Sequence, residues 1–369
     1  MIKKKKIRFL INTLTVGGAE KVLIDLLSKL NPNDYQTELI TVSGGVFSKD
    51  VPPYVKYKQL IRSNGRIGKL LTKIVYKMPP TLFKLFFMKG KFDIEIAYMQ
   101  AFPTKILRVY TKKKDVKTYA FIHTDVSVTN FLSQYKSKAQ CIKQYNMFTK
   151  TCFVSKSAKD GFEKSIGKLE NACIIHNVIN HERIIERSKE KVDFEYSTKG
   201  LKLISVGRLN EAKNYKALIQ IASKLEKDFD FELCIVGGGE QRKELERLIQ
   251  ELNVKSVKLL GMHENPYPLL KKADLFVCSS IREGYSTAVV EALTLNLPVI
   301  TTDCAGMKEI LNDGEYGLIV ENNEQSLYLG LFNLLQNKSY YDELKIKSNL
   351  YKDKIQSNDL GDYKILFKE

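Results

Sequence analysis

The segment Ala273-Asp-Leu-Phe-Val-Cys278, followed three residues later by Arg282-Glu-Gly-Tyr-Ser-Thr-Ala-Val-Val-Glu-Ala-Leu293, decides how this chain is read. The first run is apolar and short, Gly284 sits in a turn, and the second run has apolar spacing, so the segment reads as strand, turn and helix. Free backbone NH groups at such a helix start, here at Ser286 and Thr287 beside Tyr285, can bind phosphate oxygens. Glu283 stands before the helix and Glu291 about two turns into it, placed to accept hydrogen bonds from different parts of one extended, hydroxyl-rich ligand. A sugar diphosphate suits this unit.

The same alternation recurs along the chain. Apolar runs at 7–11, 37–42, 94–98, 118–122 and 152–154, then at 203–206, 233–236, 257–260, 275–278 and 299–301, are separated by helical stretches such as 20–30, 215–225 and 241–252. Repeated strand–helix alternation predicts an α/β protein with two doubly wound, Rossmann-like parallel sheets. Ligands then belong at the carboxyl ends of the strands, in a cleft across which the two domains face each other. Ile174-Ile-His-Asn-Val-Ile-Asn180 marks the expected boundary. It divides a first domain, 1–177, from a second, 178–344, with a helix at about 345–369 expected to pack back on the first.

At 369 residues and 44% hydrophobic content, two ordinary cores are affordable. Six scattered cysteines form no CxxC pair and no cleavable leader is evident, which favours a reducing cytoplasm and argues against disulfides and zinc. The best candidate for a membrane span, 70–92, is broken by lysines and by Pro79-Pro80. Charge is lopsided: residues 1–177 hold 32 Lys+Arg against 12 Asp+Glu, whereas residues 178–369 hold 27 against 30. Basicity confined to one half implies an acidic partner there. From Arg62 to Lys91 the cations Arg66, Lys69, Lys73, Lys77, Lys84, Lys89 and Lys91 interleave with Leu70, Leu71, Ile74, Val75, Leu82, Phe83, Leu85, Phe86 and Phe87. That pattern predicts an interfacial segment on an anionic membrane surface, the alternative being two core-facing helices with lysines outside.

Further candidates lie at strand ends. Arg208 and Lys213 follow the first strand of the second half, where two cations can neutralise a diphosphate. Gly237 and Gly238, in a three-glycine turn after the next strand, allow close backbone approach of a nucleotide. Their spacing does not match a dinucleotide fingerprint, which argues against NAD. Gly17 and Gly18 open a helix after the first strand, with backbone NH groups available to a ligand. His123 follows the 119–122 strand, where a neutral imidazole can hydrogen-bond a sugar hydroxyl. Asp125 and Asp303 lie at loop ends without the Asp-x-Asp arrangement of a metal site. No metal is expected.

Taken in order, Gly17-Gly18-Ala-Glu20, Phe121-Ile-His-Thr-Asp125, Phe153-Val-Ser155, His176-Asn-Val178, Val206-Gly-Arg-Leu209 with Lys213-Asn214, Val236 to Glu240, Glu283 to Glu291 and Thr302-Asp-Cys-Ala-Gly306 resemble family 4 of the retaining GT-B glycosyltransferases. The likeness covers nearly the whole chain, and its most specific element is the Glu-x7-Glu pair together with Arg208 and Lys213. It implies that Arg208 and Lys213 bind the donor diphosphate, that Glu291 binds the nucleotide ribose, and that Glu283 and His123 contact the donor sugar from opposite domains. Met307 stands where many relatives carry proline or a small residue.

The resemblance further implies a metal-independent, retaining transfer of a hexose or N-acetylhexosamine, with no cofactor beyond the nucleotide diphosphate sugar itself. UDP is the expected nucleotide and GDP the other possibility. The basic first half points to a polyprenyl-diphosphate-linked saccharide as acceptor, in capsule, exopolysaccharide or O-antigen assembly, on the inner face of the bacterial plasma membrane. A nucleotide-sugar epimerase of the same fold would need no basic membrane-facing surface. A nucleic-acid-binding module would explain the charge but not the paired glutamates, so no nucleic acid is expected.

Overall fold

The computed structural model describes residues 4–15, 17–63, 65–108, 115–124, 126, 131–355 and 360–368. They form two compact units, Met1–Ile179 with Asp359–Glu369, and Asn180–Asn358. Each is built on one parallel sheet.

In unit one the strands are β1 (Lys5–Ile11), β2 (Tyr35–Ser43), β3 (Lys56–Ile61), β4 (Ile94–Ala97), β5 (Lys117–Ile122), β6 (Lys150–Phe153) and β7 (Ala172–Ile174), ordered β3-β2-β1-β4-β5-β6-β7. In unit two, β8 (Leu201–Val206), β9 (Phe231–Val236), β10 (Val257–Gly261), β11 (Leu275–Cys278), β12 (Val299–Thr302) and β13 (Leu318–Val320) are ordered β10-β9-β8-β11-β12-β13. Ile7, Phe9, Leu10 and Ile11 are all fully buried, as a strand covered on both faces requires. In each sheet the winding reverses beside the first strand, between β1 and β4 and between β8 and β11. That reversal splays the loops apart at the carboxyl edge and leaves room for a ligand.

Three expectations shift. The change of unit falls after Ile179 and not after 177, and of the boundary stretch 174–180 only Ile174 belongs to a strand, with Ile175 N–H donating to the Phe153 carbonyl (2.8 Å). The return to unit one begins at 359 and not near 345. Helix Lys338–Ile355 stays with unit two because Leu344 is buried in its core and the Tyr351 ring packs edge-on against Tyr316 and His181. What returns is the short helix Tyr363–Lys368. Its Tyr363 ring stacks on Phe121 (5.5 Å, 6°) and shares a hydroxyl hydrogen bond with Tyr98 (3.2 Å), while the Tyr119 hydroxyl donates to the Leu366 carbonyl (2.9 Å).

The 62–91 stretch forms helices Gly65–Lys77 and Pro80–Phe87. They do not turn their apolar residues inward. Only Gly68, Val75 and Phe83 are buried, whereas Ile67 (67%), Leu70 (60%), Leu85 (64%) and Phe86 (59%) face outward. Among the described residues no helix is long and apolar enough to cross a membrane.

A guanidinium lies fully buried beneath this region. Arg8 meets Glu38 (2.7 Å) and Glu95 (3.0 Å) and donates to the carbonyls of Met88 (3.5 Å) and Lys89 (2.5 Å), just past the second helix. Burial lifts the Glu95 carboxyl to about 7, against the opposing pull of Arg8. Replacing Arg8 by Met strands two buried carboxylates and should cost roughly 3–5 kcal/mol in chemical denaturation. The raised Glu95 value means that the fold favours the protonated carboxyl. Its stabilisation is complete below the unfolded value near 4.5 and is lost as pH rises through about 7. The stability of the parent protein relative to Glu95→Gln should therefore fall by up to about 3 kcal/mol between pH 5 and pH 8.

Candidate active site

Two loops leave the reversal point of unit two. The loop after β8 carries Arg208 and Lys213, the loop after β11 carries Glu283, and backbone and side chains join them. Ile281 N–H donates to the Ala212 carbonyl (2.9 Å), and the Ser279 hydroxyl donates to the Lys213 carbonyl (2.7 Å). Lys213 Nζ lies 2.5 Å from Glu283 Oε1, to which the Ser280 hydroxyl also donates (2.8 Å). The two side chains are only 18% and 15% exposed, so each charge depends on the other. Burial works to lower the Lys213 ammonium, but Glu283, with smaller contributions from Cys278 and Tyr215, outweighs it and holds the group above its ordinary value. Lys213 is therefore a permanent cation at any ordinary pH.

Glycine makes this arrangement possible. A Cβ on Gly207 would stand 2.7 Å from Lys213 Cε and 2.8 Å from the Tyr215 hydroxyl, so any other residue would displace the lysine stem. Asn214, with φ of +53°, turns the chain immediately afterwards into helix Tyr215–Leu225. The three-glycine turn serves a related purpose. A Cβ on Gly237 would lie 1.9 Å from the Gly207 carbonyl oxygen and one on Gly239 2.3 Å from that of Leu209, so the close approach there is of one loop to another. Gly238 alone has space, its nearest neighbour being Met262 at 3.7 Å.

Helix Thr287–Thr294 begins beside Glu283, with Ser286 as its N-cap. Ser286 makes no capping hydrogen bond, and its buried Oγ has no hydrogen-bond partner among the described residues. Glu291 is the fifth helical residue, just over one turn in and not two, and is 3% exposed. Tyr285 is deeply placed, with burial raising its phenol. Gly306 (φ +84°) lets the loop after β12 approach the Gly284 carbonyl, and Met307 is fully buried behind it. Asp303 forms an ion pair with Lys308 (2.8 Å). Arg208 is exposed on the same loop as Lys213.

In unit one, Gly17 caps helix Gly18–Lys29 in an extended conformation, and the absence of a side chain leaves room for Glu20 to fold back over it. His123 follows β5 directly, in a box of rings formed by Tyr98 (4.8 Å) and Phe121 (5.8 Å, 22°), with Tyr363 on the far side of Phe121. Burial lowers the imidazole to about 4, opposed by its hydrogen bond to the Tyr98 backbone. It is thus neutral at physiological pH, and its buried Nε2 has no hydrogen-bond partner among the described residues. Asp125 lies outside the described residues.

The structure therefore gathers Lys213, Glu283, Arg208 and the Ser286 helix start on one edge of unit two, and places Gly17, Gly18 and His123 on the corresponding edge of unit one. Ser280, Ser279 and Gly207 were not singled out in the sequence, nor were the rings around His123. A glycine directly after a strand and two residues before a leucine carries no distinctive signal. Aromatic residues from three distant segments converge only in the fold.

Comparison with known proteins places this geometry. Residues 186–351 match the family model described as glycosyl transferases group 1. The N-acetylgalactosamine-N,N'-diacetylbacillosaminyl-diphospho-undecaprenol 4-alpha-N-acetylgalactosaminyltransferase of Campylobacter jejuni is 27% identical, over 95% of this chain and 97% of its own. The amylovoran biosynthesis glycosyltransferase AmsD of Erwinia amylovora is 25% identical over 84% of each chain. Among solved structures, Anabaena Alr3699/HepE in complex with UDP and glucose superposes with a TM-score of 0.71 over 96% of each chain at 18% identity, a likeness of fold. The chain has the GT-B fold, and residues 186–351, within its second unit, are similar to the glycosyl transferases group 1.

Proposed function

We propose that the protein transfers a hexose or N-acetylhexosamine, with retention and without a metal, from a nucleotide diphosphate sugar to a saccharide carried on polyprenyl diphosphate. The observation that carries this reading is the Lys213–Glu283 pair held beside the start of helix Thr287–Thr294, with Arg208 on the adjoining loop. UDP is the expected nucleotide, in keeping with the UDP bound to the Anabaena protein. The names of the Campylobacter and Erwinia relatives support a lipid-diphosphate acceptor and a role in surface-polysaccharide assembly.

Breaking the anomeric C–O bond leaves negative charge on the departing diphosphate. Lys213, Arg208 and the amides at Ser286 and Thr287 meet that charge where it grows. A diphosphate needs no proton to leave, so Glu283 and Glu291 are not the acid and base of a hydrolase. Glu283 keeps Lys213 charged in the empty site and accepts from the donor sugar, while Glu291 accepts from the ribose. The neutral His123 ring, donating to Tyr98, offers Nε2 as an acceptor to a sugar hydroxyl. The acceptor hydroxyl attacks from the face the diphosphate leaves, and a phosphate oxygen takes its proton.

The outward apolar residues of helices Gly65–Lys77 and Pro80–Phe87, interleaved with Arg66, Lys69, Lys73 and Lys77, support docking of unit one on an anionic membrane. On this reading the enzyme works at the inner face of the bacterial plasma membrane, beside its lipid-linked acceptor. An epimerase has no use for such a surface.

Thermal-shift titration against a panel of nucleotide sugars should show one preferred nucleotide. Lys213→Ala and Arg208→Ala should each weaken it about tenfold or more and lower kcat by roughly two orders of magnitude. Equal responses of parent and double variant would remove the phosphate site, and conversion of the donor sugar without an acceptor would favour the epimerase. Because His123 is already neutral above about 4, kcat/KM should show no acid limb near 6.5 that disappears in His123→Gln. His123→Gln should instead lower kcat at all pH values.

A further inference from the structure

We infer that unit one carries a phosphate-headgroup site for an anionic phospholipid, separate from the donor edge. The inference rests on the membrane-docking reading above and adds to it a specific receptor. A cavity of about 380 Å³ opens between β3 and the end of helix Pro80–Phe87, lined by Tyr57, Lys58, Arg62, Phe86, Phe87 and Lys89. Three cations and three aromatic rings around one hollow suit a ligand that is anionic at one end and apolar at the other. Phe86 belongs both to this lining and to the outward apolar face that includes Leu82 and Leu85, so the hollow is continuous with the surface proposed to enter the lipid.

The walls are held in place before any ligand arrives. The Tyr57 hydroxyl shares hydrogen bonds with Thr41 (3.2 Å) and Ser48 (3.1 Å), and Gln59 donates to the Ile61 carbonyl (2.8 Å). Lys58 Nζ is 2.8 Å from Glu38, the same carboxylate that Arg8 grips, and Arg8 donates to the Lys89 carbonyl. One buried guanidinium thus braces both sides of the hollow. Lys58 shares Glu38 with Arg8 and Lys56, so one carboxylate serves three cations, and further positive charge comes from Arg62 and Lys89. Both are exposed, and neither side chain has an ion-pair partner among the described residues. A guanidinium fork and an ammonium converging on one hollow suit a phosphate, and the ring faces suit the glycerol and first methylenes of the lipid.

The test compares two variants that each remove two positive charges. Arg62→Ala with Lys89→Ala empties the site, and Lys69→Ala with Lys73→Ala removes charge from the neighbouring helix Gly65–Lys77. Binding is measured by co-sedimentation with phosphatidylcholine vesicles containing phosphatidylglycerol, and donor-induced thermal shifts confirm that both variants fold. The control sets the diffuse electrostatic loss; the site variant should lose roughly tenfold more affinity. Equal losses would overturn the headgroup site and leave membrane docking standing, whereas no loss in either would overturn both. In a second arm, sub-micellar dihexanoylphosphatidylglycerol should raise the Tm of the parent and not of the site variant. An equal rise with free glycerol phosphate would show an anion site with no lipid preference and overturn the assignment.

Discussion

A charged ammonium in a mostly buried position survives only beside a carboxylate, and the Lys213–Glu283 contact meets that requirement at the reversal point of the second sheet. Nearby features follow from it. Gly207 must lack a side chain so that the lysine can pass, Gly237 and Gly239 must lack theirs so that the glycine turn can lie against the β8 loop, and Ser280 donates to the same carboxylate oxygen that Lys213 meets. On the proposed reading, a donor diphosphate would offer Lys213 a second anion beside Glu283, so the ammonium is paired before and after binding.

Much of this was legible in the residues. Ten of the thirteen strands announced themselves as apolar runs because their central positions are buried on both faces. The missed or misplaced strands are the outer ones. β3 reads Lys-Tyr-Lys-Gln-Leu-Ile and alternates weakly because one side faces the lysine-lined hollow, while β7 and β13 are three residues each. The Glu-x7-Glu spacing picked out the turn after β11, but the helix start did not follow from it: Thr287 is the first helical residue, which puts Glu291 just over one turn in. Helix Lys338–Ile355 reads as ready to cross to the first unit. Only burial of Leu344 and Tyr351 shows that it stays, a tertiary fact that periodicity does not carry.

In the first unit an apolar pattern admitted two readings, core-facing or surface-facing, and periodicity is the same for both. The decision lies in what already occupies the core. Val75 and Phe83 enter it beside Phe102 and Ile106, and Tyr76 and Phe87 pack against its margin. Tyr76 and Phe83 close on the Phe102 ring at 4.8 Å and 5.4 Å, while Ile67, Leu70, Leu85 and Phe86 are left outside.

The packing of Tyr363 against Phe121 has a consequence for the order in which the protein is made. Residues 360–368 leave the ribosome after every residue of unit two, yet they cover the Phe121 ring of unit one. Unit one, whose first strand emerges hundreds of residues earlier, must wait with an uncovered aromatic face until that last helix arrives, so the half of the enzyme synthesised first is the half completed last.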